Sequence, residues 1–111
     1  TFVTPAFAAY VSGHSAFSRA AAEVLAGVTG SEYFPGGMAT HTVAAGDLLH
    51  EAGPSADVEL QWATYFDASD DAGRARIYGG IHITADDYAG RVIGSEVGLE
   101  ALAKARTLFA P

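Results

Sequence analysis

Apolar residues recur at helical spacing in three stretches of this chain. Phe17, Ala21, Val24, Leu25 and Val28 fall three or four residues apart, which gathers them on one face of an α-helix. Arg19 and Glu23 stand at i,i+4 on another face, where opposite charges support the helix. Ser12 or Ser15 can cap its start, and Gly30 can stop it. A second helical pattern opens near Leu60. Trp62, Tyr65, Phe66, Ser69, Ala72 and Gly73 mark its inner face, with the aromatics expected in the core. Asp67, Asp70, Asp71 and Arg74 mark a solvated face, and Gly79-Gly80 ends the element. The third starts at Thr84-Ala85-Asp86-Asp87, a capping-box pattern with Thr84 as N-cap and Asp87 at N3. It runs to about Phe109, with Tyr88, Val92, Val97, Leu99 and Leu102 as apolar surface.

The segments between are irregular. Residues 1–12 carry Pro5 and no helical period, and predict an extended lead-in. Residues 29–58 are broken by Gly30, Pro35, Gly36, Gly37, Gly46, Gly53 and Pro54. This long excursion predicts a short strand near His41–Ala44 and one helical turn near Asp47–Glu51, and loops of such length are commonly functional. Gly90, Gly94 and Gly98 recur every four residues and make a smooth stripe for close helix packing. The charged residues Asp87, Arg91, Glu96, Glu100 and Lys104 exclude a membrane span for that helix. The expected fold class is therefore all-α, a helical bundle, as one domain over residues 1–111.

Composition narrows the chemistry. The chain has 111 residues, half of them hydrophobic, and a net charge of −7 with only six Lys and Arg. So few cations cannot neutralise a run of phosphates, which argues against nucleic acid and anionic membranes as partners. Cysteine is absent, which removes thiolate metal sites, disulfides and cysteine nucleophiles, and leaves the compartment open between cytoplasm, periplasm and secretion. The opening Thr1-Phe2-Val3-Thr4-Pro5 has no signal peptide and reads as the interior of a longer sequence.

Against that acidic background, Arg76-Ile77-Tyr78-Gly79-Gly80-Ile81-His82-Ile83-Thr84-Ala85-Asp86 stands out. The double glycine can fold the cation and the imidazole toward one point. Arginine suits tetrahedral oxyanions because its planar fork donates two parallel hydrogen bonds. Asp86, four residues after His82, can accept from one ring N–H and leave the other nitrogen free to attack or ligate. Upstream, Ser12-Gly13-His14-Ser15 sits at a helix start, where backbone N–H groups attract anions. Ordinary alternatives stand beside each reading. Arg76 can pair with Asp70 or Asp71, His82 can be a core histidine, and Asp86 can simply favour a helix N-terminus. His41 and His50 show no convergent ligands and read as surface residues.

Ser12-Gly13-His14 followed by Arg76-x5-His82-x3-Asp86 resembles the second and third signature motifs of the vanadium-dependent haloperoxidase and type 2 phosphatidic acid phosphatase superfamily. Tyr78-Gly79-Gly80-Ile81-His82 is closer to the haloperoxidase branch, and the similarity runs from Tyr10 to about Gly98. The resemblance implies the C-terminal part of that family's helical bundle. It implies that His82 binds the vanadium of vanadate, or becomes phosphohistidine in a phosphatase. It makes His14 the acid–base group, Asp86 the partner that orients His82, and Ser12, Gly13 and Arg76 the holders of equatorial oxygens.

The departures matter as much. Val11 stands where the family has proline and Ala75 where it has serine. The family's first motif, Lys-x6-Arg-Pro, is absent: the single lysine is Lys104 and no Arg-Pro pair occurs. A Lys and an Arg expected at the oxyanion must then come from an N-terminal segment or a second chain. Three functions remain. The first is a haloperoxidase that oxidises halide with hydrogen peroxide on bound vanadate. The second is an acid phosphatase acting on phosphomonoesters. The third is a non-catalytic fragment that needs an N-terminal half, docked through the glycine stripe and exposed apolar surface.

Overall fold

The computed structural model describes residues 4–6 and 10–109, so half of the predicted lead-in at 1–12 lies outside the described residues. Among the described residues, three helices and one small sheet follow in the order α1 (Gly13–Thr29), β1 (Ala39–Val43), β2 (Val58–Trp62), α2 (Tyr65–Tyr78) and α3 (Thr84–Phe109). The architecture is mostly helical, but the two-stranded sheet corrects the all-α expectation. β1 and β2 pair antiparallel, with Ala39 opposite Trp62 and Val43 opposite Val58. β1 falls where a strand was expected. β2 takes in residues 60–62, assigned above to the second helix. Val58-Glu59-Leu60-Gln61-Trp62 alternates apolar and polar, which is the strand period. The true start of α2 carries its own signal: the Thr64 hydroxyl accepts from the Asp67 N–H while Asp67 accepts from the Thr64 N–H, a complete capping box.

No helical turn forms over Asp47–Glu51. That stretch is closed as a loop instead, by Gly46 N–H to the Pro54 carbonyl at 2.9 Å and Leu48 N–H to the Gly53 carbonyl at 3.1 Å. The strands are largely exposed. They are anchored at their base, where Tyr65 N–H donates to the Glu32 carbonyl and the Phe34 and Tyr65 rings meet edge to face at 4.6 Å.

The glycine stripe brings α1 and α3 together. An added Cβ at Gly90 would meet the Ser12 carbonyl, one at Gly94 the Ala16 carbonyl, and one at Gly98 the Ala20 carbonyl and Cα. Contacts that advance in step along both sequences make the two helices parallel, with their N-termini side by side. Ser12, Ala16 and Ala20 form the matching small-residue row on α1. The stripe is thus occupied by this chain's own α1, which corrects the expectation that it would dock an N-terminal half.

α2 runs the other way. Its Gly73 lies against Ser15 and Asp87, and its earlier Asp70 reaches Arg19, one turn further along α1. The molecule is a slab of 53 × 37 × 19 Å with a radius of gyration of 16.0 Å, against roughly 13 Å for a compact 100-residue domain. A slab has little interior, so the predicted apolar face of α1 is not the core: Phe17 is 80% exposed and Val28 69%. Ala22, Tyr65 and Leu102 are the buried apolar residues among those described, while Trp62 and Phe66 are half-buried.

Candidate functional site

The antiparallel course of α2 delivers Arg76, in its last turn, to the place where α1 and α3 begin. The chain then reverses tightly. Gly80 N–H donates to the Ile77 carbonyl, and the N–H groups of Ile81 and His82 both donate to the Arg76 carbonyl, at 2.9 and 3.4 Å. Gly80 adopts φ +68°, a left-handed conformation that disfavours any residue with a Cβ. This turn folds His82 back beside Arg76, as the double glycine predicted. Both are buried, Arg76 at 9% exposure and His82 at 8%.

Asp86 is buried too, and its Oδ2 lies 3.1 Å from His82 Nδ1. A carboxylate oxygen accepts, so Nδ1 carries the hydrogen that faces Asp86, and in a neutral imidazole Nε2 would then have the lone pair. The same Oδ2 accepts from the Ile83 N–H at 3.4 Å. Thr84 is the first residue of α3 rather than its cap, and Asp86 fills the third helical position in place of Asp87. The one-residue shift turns Asp86 back toward His82 and frees Asp87 for other contacts.

The Ser12-Gly13-His14 segment joins through the backbone. Ser12 N–H donates to the Asp86 carbonyl at 3.1 Å, tying the start of α1 to the residue that holds His82. Ser12 is the N-cap of α1 and accepts from the Ser15 N–H at 3.3 Å. Gly13 and His14 open the helix, where backbone N–H groups have no intrahelical acceptor. His14 is exposed, and its pKa lies below the ordinary 6.5 through partial burial and the nearby charges of Arg76 and His82. Its imidazole is therefore neutral at pH 7 and able to take a proton. All six predicted site residues gather at one end of the slab. Asp70 is held by Arg19 and Arg91, and Asp71 accepts from the Trp62 indole N–H at 3.0 Å, so neither is simply a solvated carboxylate.

Sequence reasoning missed Ser15, Asp87 and Arg91 as part of this end. Ser15 Oγ lies 2.6 Å from Asp87 Oδ1 and 2.9 Å from Ser12 Oγ. Arg91 donates to both oxygens of Asp87, at 3.0 and 2.8 Å, and pairs with Asp70 at 2.7 Å. Burial pushes the Asp87 carboxyl up, but the hydrogen bonds from Arg91 and Ser15 and the charges of Arg91 and Arg74 hold it below its ordinary value. The available signal was the i,i+4 spacing of Asp87 and Arg91, which the capping-box reading of Asp87 concealed.

The three helices, with a buried histidine and arginine where two helix N-termini meet, make a helical-bundle domain. The family described as VCPO second helical-bundle domain matches residues 1–111, the whole chain. The chain belongs to that family and so to the vanadium haloperoxidase superfamily, matching the C-terminal part of its bundle. Two solved structures share the fold: a holo-type bacterial vanadium-dependent chloroperoxidase and its apo form, each with a TM-score of 0.77. They are 21% and 22% identical over 85% of this chain, and this chain spans 20% of theirs. No curated protein sequence matches.

Proposed function

We propose that this domain binds vanadate and contributes to oxidation of halide by hydrogen peroxide. The observation that carries the reading is the buried His82–Asp86 pair, in which the carboxylate faces Nδ1 and the other ring nitrogen would be the ligand, with buried Arg76 on the preceding helix. The donor set fits a tetrahedral oxyanion. His82 Nε2 would ligate vanadium. Arg76 and the N–H of Gly13 would hold oxygens, aided by the positive ends of two parallel helices. Gly13 is consistent with this, because among the described residues an added Cβ there would touch only Phe17, at 3.9 Å. Packing within the chain does not demand glycine, whereas close approach of an anion to the backbone does.

Bound vanadate supplies a Lewis-acid centre that polarises peroxide without changing oxidation state. Halide, hydrogen peroxide and one proton give hypohalous acid and water, so a group that moves protons is required. Neutral His14, on the first turn of α1, takes the proton released by incoming peroxide and returns it to the leaving oxygen. Asp86 keeps the His82 ring in one tautomer throughout. The charge is incompletely balanced by this chain alone. Lys104 lies far along α3 and is exposed, so a Lys and an Arg from another segment or chain complete the site. The large exposed apolar residues of all three helices suit such a neighbour.

The test uses the native protein with vanadate, peroxide and bromide or chloride. Halide oxidation that depends on added vanadate is expected, and His82→Ala should abolish it while the helical circular dichroism persists. Phosphomonoester hydrolysis without vanadate, inhibited by vanadate, would replace this reading with the phosphatase one. Absence of both activities and of vanadate binding would leave a non-catalytic domain.

A further inference from the structure

All three helices meet at Asp70. It lies on α2 and pairs with Arg91 of α3 at 2.7 Å and with Arg19 of α1 at 3.4 Å. Arg91 engages every nitrogen of its guanidinium. Nε and Nη2 donate to the two Asp87 oxygens at 3.0 and 2.8 Å. Nη1 pairs with the Asp70 carboxylate, and Nη2 also donates to the Asp70 carbonyl at 3.3 Å. An exposed i,i+4 ion pair contributes little on its own. The Asp87–Arg91 pair differs in two respects. Its carboxylate is buried where α1 and α2 converge: Ser15 Oγ lies 2.6 Å from Asp87 Oδ1, and an added Cβ at Gly73 would strike the same oxygen. Its arginine side chain, at 15% exposure, holds a backbone carbonyl as well as a carboxylate, so it grips α2 itself rather than one rotamer. Elsewhere α2 touches α3 far less than it touches α1, and the turn that joins them contains Gly79 and Gly80.

We propose that Arg91 and Asp70 are positioning residues for the oxyanion site: with Asp87 they clamp α2 against α3 and so set how far Arg76 reaches toward the anion. This rests on the oxyanion reading of the site. Neither residue belongs to the two motifs that carry the family resemblance. Arg76 follows Asp70 on the same helix, about 9 Å further along its axis. A slide or tilt of α2 at Asp70 therefore displaces the Arg76 guanidinium. It also disturbs His82, whose N–H donates to the Arg76 carbonyl. Lysine could not replace Arg91 in this task, because one ammonium cannot span two carboxylates and a carbonyl in a fixed fork.

Equilibrium vanadate binding by the native protein tests the clamp, with inorganic phosphate as a second probe. Each affinity is taken well below the variant's melting temperature, so that lost stability alone does not register. Arg91→Lys keeps a positive charge beside Asp87 but loses the fork, and should weaken binding about tenfold. Asp70→Ala is the sharper variant. It removes a negative charge, so charge alone would tighten anion binding, whereas loss of the clamp should weaken it about tenfold. The double variant should bind within about twofold of the weaker single, because both changes break one tie. Arg106→Met is the control. Arg106 donates to the Gly27 carbonyl at 2.8 Å and ties α3 to the far end of α1. Its loss should leave affinity within about twofold of the wild type. Asp70→Ala binding vanadate as tightly as the wild type, or more tightly, would overturn the clamp, and so would an equal loss in Arg106→Met. If Arg91→Lys does not fold, Asp70→Ala decides the matter alone. A wild type that binds neither anion sinks the oxyanion reading and this proposal with it, whereas failure of the clamp alone leaves wild-type binding intact.

Discussion

Where the starts of α1 and α3 meet the end of α2, the buried side chains are polar, while the large apolar side chains of the same helices face outward. Ser12, Ser15, Arg76, His82, Asp86 and Asp87 are buried; Phe17, Leu25, Val28, Val92 and Phe109 are exposed. This inverts the usual partition. The difference teaches that closeness of backbone approach, rather than hydrophobicity, decides what is buried in this slab. Glycines on α3 let α1 approach so closely that only serine and alanine fit between them. Polar groups trapped in that narrow layer survive because they satisfy one another.

The largest effect expected from breaking the polar end comes from Arg91→Met. Arg91 pairs with Asp87, whose side chain is 4% exposed, and with Asp70. Removing it strands a buried carboxylate, and the expected loss is about 3–5 kcal/mol in urea unfolding. The pH dependence follows from the sign of the shift. Asp87 is held below its ordinary value of 3.8 in the fold, so its contribution is fully present above that value and is lost as pH falls through the lowered one. In Arg91→Met, desolvation is opposed only by Ser15 and Arg74, so the acid limb of the stability curve should move to higher pH. An unmoved limb and a loss below 1 kcal/mol would mean that the ion pair is idle.

The two regions also differ in how far the sequence disclosed them. Arg76, the double glycine, His82 and Asp86 were legible because one local turn joins them, and a turn's chemistry is written in adjacent residues. Ser12 and Gly30 were legible as caps for the same reason. The Ser15–Asp87 contact was not, because it joins residues 72 apart and depends on the parallel docking of α1 on α3. The β2 strand was missed where Leu60 and Trp62 satisfy both a two-residue and a helical period. The exposure of Phe17 and Val28 was missed because periodicity tells which residues share a face, not whether anything covers it.

A smaller effect should separate approach from hydrophobicity. Gly94→Ala would ordinarily favour a helix interior by about 1 kcal/mol. Here the added Cβ would strike the Ala16 carbonyl oxygen and come within 2.9 Å of Arg19 Cβ. Backbone cannot rotate aside as a side chain can, so the helices must part, and a net loss of about 1–3 kcal/mol is expected from overpacking. A gain in melting temperature would show that α1 and α3 do not meet along the stripe.

The smallest effect is expected from the change that looks most drastic on paper. Phe17→Ser removes an aromatic ring from the predicted apolar face of α1, and full burial of such a ring is worth about 1.5–3 kcal/mol. At 80% exposure the ring has little of that to lose. The unfolding free energy of the 111-residue chain should therefore change by no more than about 0.5 kcal/mol. That outcome beside the Gly94→Ala loss would establish that one methyl group in the narrow layer outweighs a whole phenyl ring outside it. A loss near 2 kcal/mol would instead mean that another surface, on a second copy of the chain, covers Phe17, and the contrast between the two regions would belong to the isolated slab alone.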